Sequence, residues 1–213
     1  MERNTVALTV QENLCCGCGI CKAVCPVKCI SWNKSNGLYC PSIDEARCVG
    51  CGRCASVCPG LGHNYVPQKS AIDTVTGSVQ ESHNAWAKDE KLRHFSASGG
   101  VVSVLVQKLL ALGEYDGAFC LNTYDYRKQL KTTLFTEKDI TEERYRETIP
   151  KSRYLPVSHE NAVAYMQEHK DARLILVGIS CAIRGLLAAV EKLGLNRKQY
   201  LFIGLFCDTV FNY

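Results

Sequence analysis

A compact α+β module followed by an α/β domain with a mostly parallel sheet is the fold class that this 213-residue sequence predicts. Three observations carry the prediction. Of the 14 cysteines, all but Cys120, Cys181 and Cys207 crowd between Cys15 and Cys58. The crowded segment is duplicated: Cys15 aligns with Cys48 and Cys25 with Cys58, at a repeat of about 33 residues. Beyond about residue 85, strand-like and helix-like stretches alternate, the pattern of an α/β layer.

The elements follow in order. Thr5 to Val10 alternates in a way that suits a short strand. After it come the first cysteine cluster, a polar bridge from Ser31 to Ala46, and the second cluster. Residues 1–66 form the first domain and 67–84 a linker, since PQKSAIDTVTGSVQESHN has few large apolar residues and no periodicity. Residues 85–213 form the α/β domain. Ser98 to Leu112 has helical spacing and stops at Gly113; Tyr115 to Leu121 and Lys131 to Thr136 read as strands. Ser158 to Lys170 reads as a helix, Arg173 to Ile179 as a buried strand, Ala182 to Leu193 as a helix ending at Gly194, and Tyr200 to Cys207 as a strand.

Composition narrows the function classes. A net charge of +4 with interspersed signs lacks the clustered basic face of a nucleic-acid binder. The apolar stretches near Val101 to Leu112 and Leu174 to Ile179 fall far short of the ~20 apolar residues of a membrane span. No apolar leader follows the first residues, so a cytoplasmic setting with reduced thiols is expected. The five histidines, His63, His83, His94, His159 and His169, are scattered and read as surface residues.

The cysteines carry the chemistry. Cys15, Cys18, Cys21 and Cys25-Pro26 fit C-x2-C-x2-C-x3-C-P, and Cys48, Cys51, Cys54 and Cys58-Pro59 fit it again without gap or substitution. Two-residue gaps let one short loop wrap three thiolates around a cubane, while the fourth cysteine reaches the neighbouring cluster. The pattern therefore predicts a bacterial-type ferredoxin module with two 4Fe-4S clusters. One takes Cys15, Cys18, Cys21 and Cys58; the other takes Cys48, Cys51, Cys54 and Cys25. Zinc knuckles and disulfide scaffolds also use C-x2-C pairs, but without the x3 gap and proline repeated twice. Gly17, Gly19, Gly50 and Gly52 permit unusual backbone angles and bring N–H groups near the sulfurs. Cys16, Cys29 and Cys40 fall outside the pattern and read as small buried residues beside the clusters.

Two glycine-bearing turns draw attention in the second domain. In Phe95-Ser96-Ala97-Ser98-Gly99-Gly100, Ser98 is expected to cap a helix whose free N–H groups would suit an anion. The turn Val177-Gly178-Ile179-Ser180-Cys181-Ala182 leaves a buried strand and enters a helix, where open α/β sheets place ligands.

The order of cysteine repeat, Arg93 then SASGG, Lys151-Ser152-Arg153-Tyr154, GISCAIRG and Ile203-Gly204-Leu205-Phe206-Cys207 resembles the family of coenzyme F-420 hydrogenase/dehydrogenase beta subunits over essentially the whole chain. The resemblance implies an iron-sulfur flavoprotein oxidoreductase component. It would pass electrons between the clusters and FAD, with a deazaflavin (coenzyme F-420) or another two-electron acceptor beyond. It also implies a redox partner protein or hydrogenase/dehydrogenase-type subunits. By the same resemblance Ser96, Ser98, Gly99 and Gly100 match an S-x-S-G-G stretch. Ser152 and Tyr154 match S-K-Y, with Arg153 at the lysine position and Lys151 beside it to take the cationic role. Gly178, Ser180 and Cys181 match G-T-P-C-Q with three side chains replaced, and Cys207-Asp208 stands where the family has Cys-His-Gly. Cys181 and Cys207 are read as lining the flavin. Family members normally continue beyond the position of Tyr213, so a short or truncated member is expected. A ferredoxin-like carrier or docking module without flavin is the alternative.

Overall fold

The computed structural model describes residues 4–35, 37–62, 79–121, 128–140 and 152–211. The segment before the first cysteine is helix α1, Ala7–Gln11, and not the strand its alternation predicts. The side chains that bury here are Thr5, Val6 and Thr9, with Thr9 four and three positions on from the other two, which is helical spacing. The Leu14 N–H then closes onto Thr9 O at 2.8 Å and feeds the chain into the cysteine loop.

The sequence duplication is a structural one. Each cysteine loop runs into a four-residue helix, α2 at Ile20–Ala23 and α3 at Arg53–Ser56. Each helix starts from a glycine in the left-handed region, Gly19 at φ +77° and Gly52 at φ +70°, an angle a side chain resists. Gly17 and Gly50 are likewise left-handed, as expected. The polar bridge between the loops is an antiparallel hairpin, β1 (Ile30–Ser35) and β2 (Leu38–Ile43), with Ile30 opposite Ile43. Val6, Cys21, Cys29, Ile30 and Cys54 form a small core between the two loops.

In the second part the elements are α4 (Glu90–Phe95), α5 (Val101–Ala111), β3 (Gly117–Leu121), β4 (Leu130–Phe135), α6 (Glu137–Ile140), β5 (Val157–Ser158), α7 (Glu160–Glu168), β6 (Leu174–Ile179), α8 (Ser180–Lys192) and β7 (Tyr200–Leu205). Helices α5 and α8 are followed within two residues by Gly113 and Gly194, both left-handed, as their C-terminal glycines predict. The strands form one sheet in the order β5-β4-β3-β6-β7. Three adjacent pairs are parallel, β4 with β5, β3 with β6, and β6 with β7, while β3 and β4 are antiparallel, so the sheet is mixed.

Strand alternation sorts the side chains to two faces. Ala118, Cys120 and Ile175 meet Val106 and Leu110 of α5 on one face. Phe119, Leu174 and Leu176 meet Val163 and Met166 of α7 and Leu186 and Val190 of α8 on the other. That second core also takes Ile20, Val24 and Val57 from the cysteine-rich part, all nearly inaccessible to solvent. The contact is close at Gly185 of α8, where an added Cβ would lie 2.6 Å from Ile20 Cδ1. A polar clamp flanks it. Glu160 accepts from Trp32 Nε1 at 2.9 Å and pairs with Lys22 at 3.1 Å and with Lys131. Gln167 donates to Ala23 O at 3.0 Å. Among the described residues, no helix is long and apolar enough to cross a membrane.

Candidate functional site: cysteine loops beside a cleft

The eight motif cysteines are free thiols, and seven of them fall into two neighbouring groups. Cys25, Cys48, Cys51 and Cys54 line one small cavity together with the neighbouring Cys29. Cys15, Cys21 and Cys58 act on one another electrostatically, as do Cys54, Cys25 and Cys51. Cys58 thus stands with Cys15 and Cys21, and Cys25 with Cys48, Cys51 and Cys54.

This crowding has an electrostatic cost in the absence of cations. Burial, together with neighbouring thiols, pushes the Cys15 thiol up to about 12, despite a hydrogen bond from the Gly17 backbone. Cys21 and Cys54 are pushed up by burial and by their sulfur neighbours. Like charges gathered out of water disfavour ionisation, so iron has to supply the opposing charge before thiolates persist together. Cys25 shows the other device. Burial raises it, but N–H groups of Cys29, Val27 and Lys28 and the Cys29 thiol point at its sulfur, and the balance lowers it. An anion held by several backbone donors is what a cluster ligand requires. Donor set, glycine-lined loops and N–H groups fit a 4Fe-4S cluster at each group.

The cysteines outside the motif lie beside these groups. Cys29 and Cys40 are buried, Cys29 with its sulfur 3.5 Å from that of Cys25 and Cys40 against Cys15. Cys16 is half-buried and hydrogen-bonded to Cys181 of α8. Cys120 is buried in the sheet, and burial pushes its thiol up to about 12.

A cleft of about 470 Å³ opens beside the first loop. It sits at the carboxyl ends of the parallel strands β3, β6 and β7, between the start of α5 and the start of α8, where open α/β sheets hold ligands. Cys16 and Cys18 of the first loop reach its wall. Ser98, Ser152, Tyr154, Gly178, Cys181 and Cys207 all line it, whereas Ser96, Gly99, Gly100 and Ser180 are set back. Lys151 lies outside the described residues. Arg153 itself lines the cleft and donates to Ser152 O at 3.0 Å.

Two expectations are corrected here. Ser98 does not cap α5: it is left-handed at φ +49°, followed by Gly99 at +74° and Gly100 at +80°, and Gly100 holds the cap position without a side-chain bond. Three left-handed residues in succession turn the chain so that α5 begins two residues later and Ser98 faces the cleft. Nor is His159 a surface residue. It is 3% exposed, lines the cleft, and hydrogen-bonds through its backbone N–H to Cys18 O at 2.7 Å. Its ring lies against Gly178, where an added Cβ would be 3.0 Å from Cε1 and 3.3 Å from Nε2. Burial holds this imidazole down at about 4, so it is neutral at physiological pH. Nothing in the polar run Ser158-His159-Glu160 announces this, because the burial comes from loops distant in sequence. His83, His94 and His169 are exposed as expected, and His63 lies outside the described residues.

Paired cysteine groups on glycine-rich loops, packed onto an α/β sheet with a ligand-sized cleft at its strand ends, define an iron-sulfur protein of the electron-transfer class. Residues 14–60 match a 4Fe-4S dicluster domain, and residues 82–159 match the N-terminal part of the coenzyme F420 hydrogenase/dehydrogenase beta subunit. Over these two segments the chain is similar to coenzyme F420 hydrogenase/dehydrogenase beta subunits that carry a dicluster domain at the N-terminal end. It is 26% identical over 211 residues to a component of the F(420)H(2) dehydrogenase of Methanosarcina mazei, a match spanning 98% of this chain and 57% of that protein. The chain thus spans a little over half the length of this relative. A structure of the F420-reducing [NiFe] hydrogenase complex from Methanosarcina barkeri, derivatised with xenon, matches 60% of this chain and 44% of its own at 20% identity and a TM-score of 0.47.

Proposed function

We propose that this chain is an oxidoreductase subunit that moves electrons between its two 4Fe-4S clusters and FAD held in the cleft, with a deazaflavin or another small two-electron acceptor as terminal partner. The observation that carries the reading is the position of the first cysteine loop, which forms part of the cleft wall through Cys16 and Cys18. Cys15, Cys18, Cys21 and Cys58 hold the cluster beside the cleft; Cys48, Cys51, Cys54 and Cys25 hold the one farther from it. A flavin exchanges electrons singly or in pairs, and that is the chemistry it would supply between one-electron clusters and a hydride-type acceptor.

The chain's own residues do the placing. Ser98, Ser152 and Tyr154 line the mouth and offer hydroxyls, Arg153 a cation for an anionic group, and Cys181 and Cys207 a soft apolar wall. Thr132 supports the fit: its hydroxyl is buried, lines the cleft, and has no hydrogen-bond partner among the described residues. A buried polar atom without a partner in the protein is satisfied by a ligand or water. Exposed Cys51 and Val49 would leave the second group open to a partner protein or sister subunit. The dicluster domain of residues 1–66 and the domain of residues 85–213 then act as one electron-transfer unit in the cytoplasm.

Single cysteine replacements test the ligand sets. Cys18→Ala and Cys51→Ala should each remove about half of the iron, while Cys40→Ala should keep it. Equal loss from all three would overturn the assignment. A chain that binds both clusters but no flavin would be a ferredoxin-like carrier.

A further inference from the structure

The floor of the cleft carries two polar side chains without partners among the described residues. Thr132, on β4, is 1% exposed, and its hydroxyl bonds to no described residue. His159, just after β5, is 3% exposed; only its backbone is engaged among the described residues, donating to Cys18 O and accepting from the Val163 N–H. Both side chains line the same cleft.

Neither is there by local accident. The His159 backbone is pinned to the first cysteine loop on one side and to the first turn of α7 on the other, so the ring has a fixed direction. Gly178 leaves the space that the ring fills, since a side chain there would collide with it. Imidazole nitrogens and a hydroxyl can each hydrogen-bond a ligand seated against them. A buried polar group left unmatched destabilises the empty site, and a complementary ligand relieves it. The ligand that suits them is flat, largely apolar and polar along one edge, with donors and acceptors side by side.

We infer that Thr132 and His159 grip the heteroaromatic ring of the bound flavin by its polar edge, at the end of the cleft nearest Cys18. The inference rests on the flavin reading above and deepens it. Thr132 and His159 would hold the ring beside the first cysteine loop, and Ser98 and Arg153 would hold the phosphate-bearing tail. His159 is a positioning residue on both counts, tied to the loop by its backbone and to the ligand by its ring.

Riboflavin carries the ring but no phosphate, so it separates floor from mouth. The full chain, reconstituted anaerobically with its clusters, is titrated with FAD and with riboflavin by quenching of flavin fluorescence. Thr132→Val should weaken both flavins by the same factor, about three- to tenfold, and His159→Phe should do likewise. Iron content and melting temperature of Thr132→Val should stay at the wild-type values, because the hydroxyl it removes bonds to no described residue. Unchanged affinities, a loss confined to FAD, or a fall in iron or melting temperature for Thr132→Val would each overturn the inference while leaving the flavin reading intact. Failure of the wild-type chain to bind either flavin would instead overturn that reading, and the inference with it.

Discussion

Glu160 shows how much a single side chain can organise. Its carboxylate is almost enclosed and meets Lys22 and Trp32 from the cysteine-rich part and Lys131 from the sheet. Burial alone would raise its pKa, but hydrogen bonds from Lys131, Trp32 and Lys22 outweigh burial and hold it below the usual carboxylate value. A carboxylate whose folded pKa is depressed stabilises the fold above its unfolded pKa, and the contribution fades as pH falls through the folded value. Wild-type melting temperature should therefore drop, as pH falls below the ordinary carboxylate range, more steeply than that of Glu160→Gln. At pH 7, Glu160→Gln should cost about 1–2 kcal/mol, less than a fully buried pair, because both lysines are partly exposed and regain water. Parallel pH profiles for the two proteins would show that the clamp carries no stability. Residues of this kind are poorly legible in sequence. The cysteine ligands announce themselves by spacing, whereas Glu160 and His159 acquire their roles from partners outside their own segment, among them Lys22, Trp32 and Cys18, more than a hundred positions away.

At the scale of elements, the legible parts are those with a short-range signal. Helices α5 and α8 with their terminal glycines, the buried strands β3 and β6, and strand β7 lie where periodicity places them. Helix α1 escapes such a reading because Thr5 to Val10 satisfies a two-residue alternation while the burial of Thr5, Val6 and Thr9 follows helical spacing. The antiparallel pairing of β3 with β4 is hidden too, since strand direction is set by connections and by neighbours rather than by composition. Helix α8 illustrates packing overriding propensity. Alanine at Gly185 would favour the helix by about 1 kcal/mol. The new methyl group would, however, collide with Ile20 and press on Val57 O, and overpacking of this kind costs about 1–3 kcal/mol. Gly185→Ala should therefore lower the melting temperature; a rise would show that the two parts are not in close contact there.

At the scale of the molecule, the cysteine-rich part and the α/β part share one apolar core. Ile20, Val24 and Val57 on one side and Met166, Leu186 and Val190 on the other bury one another, so neither part is complete without its neighbour. Heating the cluster-loaded chain under anaerobic conditions should show cluster absorbance and helical circular dichroism lost in one transition. Ile20→Ala should bring both down together by about 2–5 kcal/mol of stability. Two separate transitions would mean that the parts fold independently. A shared core also fixes the first cysteine loop against the cleft, which is the arrangement on which the proposed electron transfer depends. The most direct test is composition: the chain, purified and reconstituted anaerobically with iron, sulfide and FAD, is assayed for iron, acid-labile sulfide, zinc and flavin alongside its absorption spectrum. The account predicts about eight irons, about eight sulfides and about one FAD per chain. About eight irons without flavin would contradict the cleft's assignment, and zinc without sulfide would contradict the iron-sulfur reading at its root.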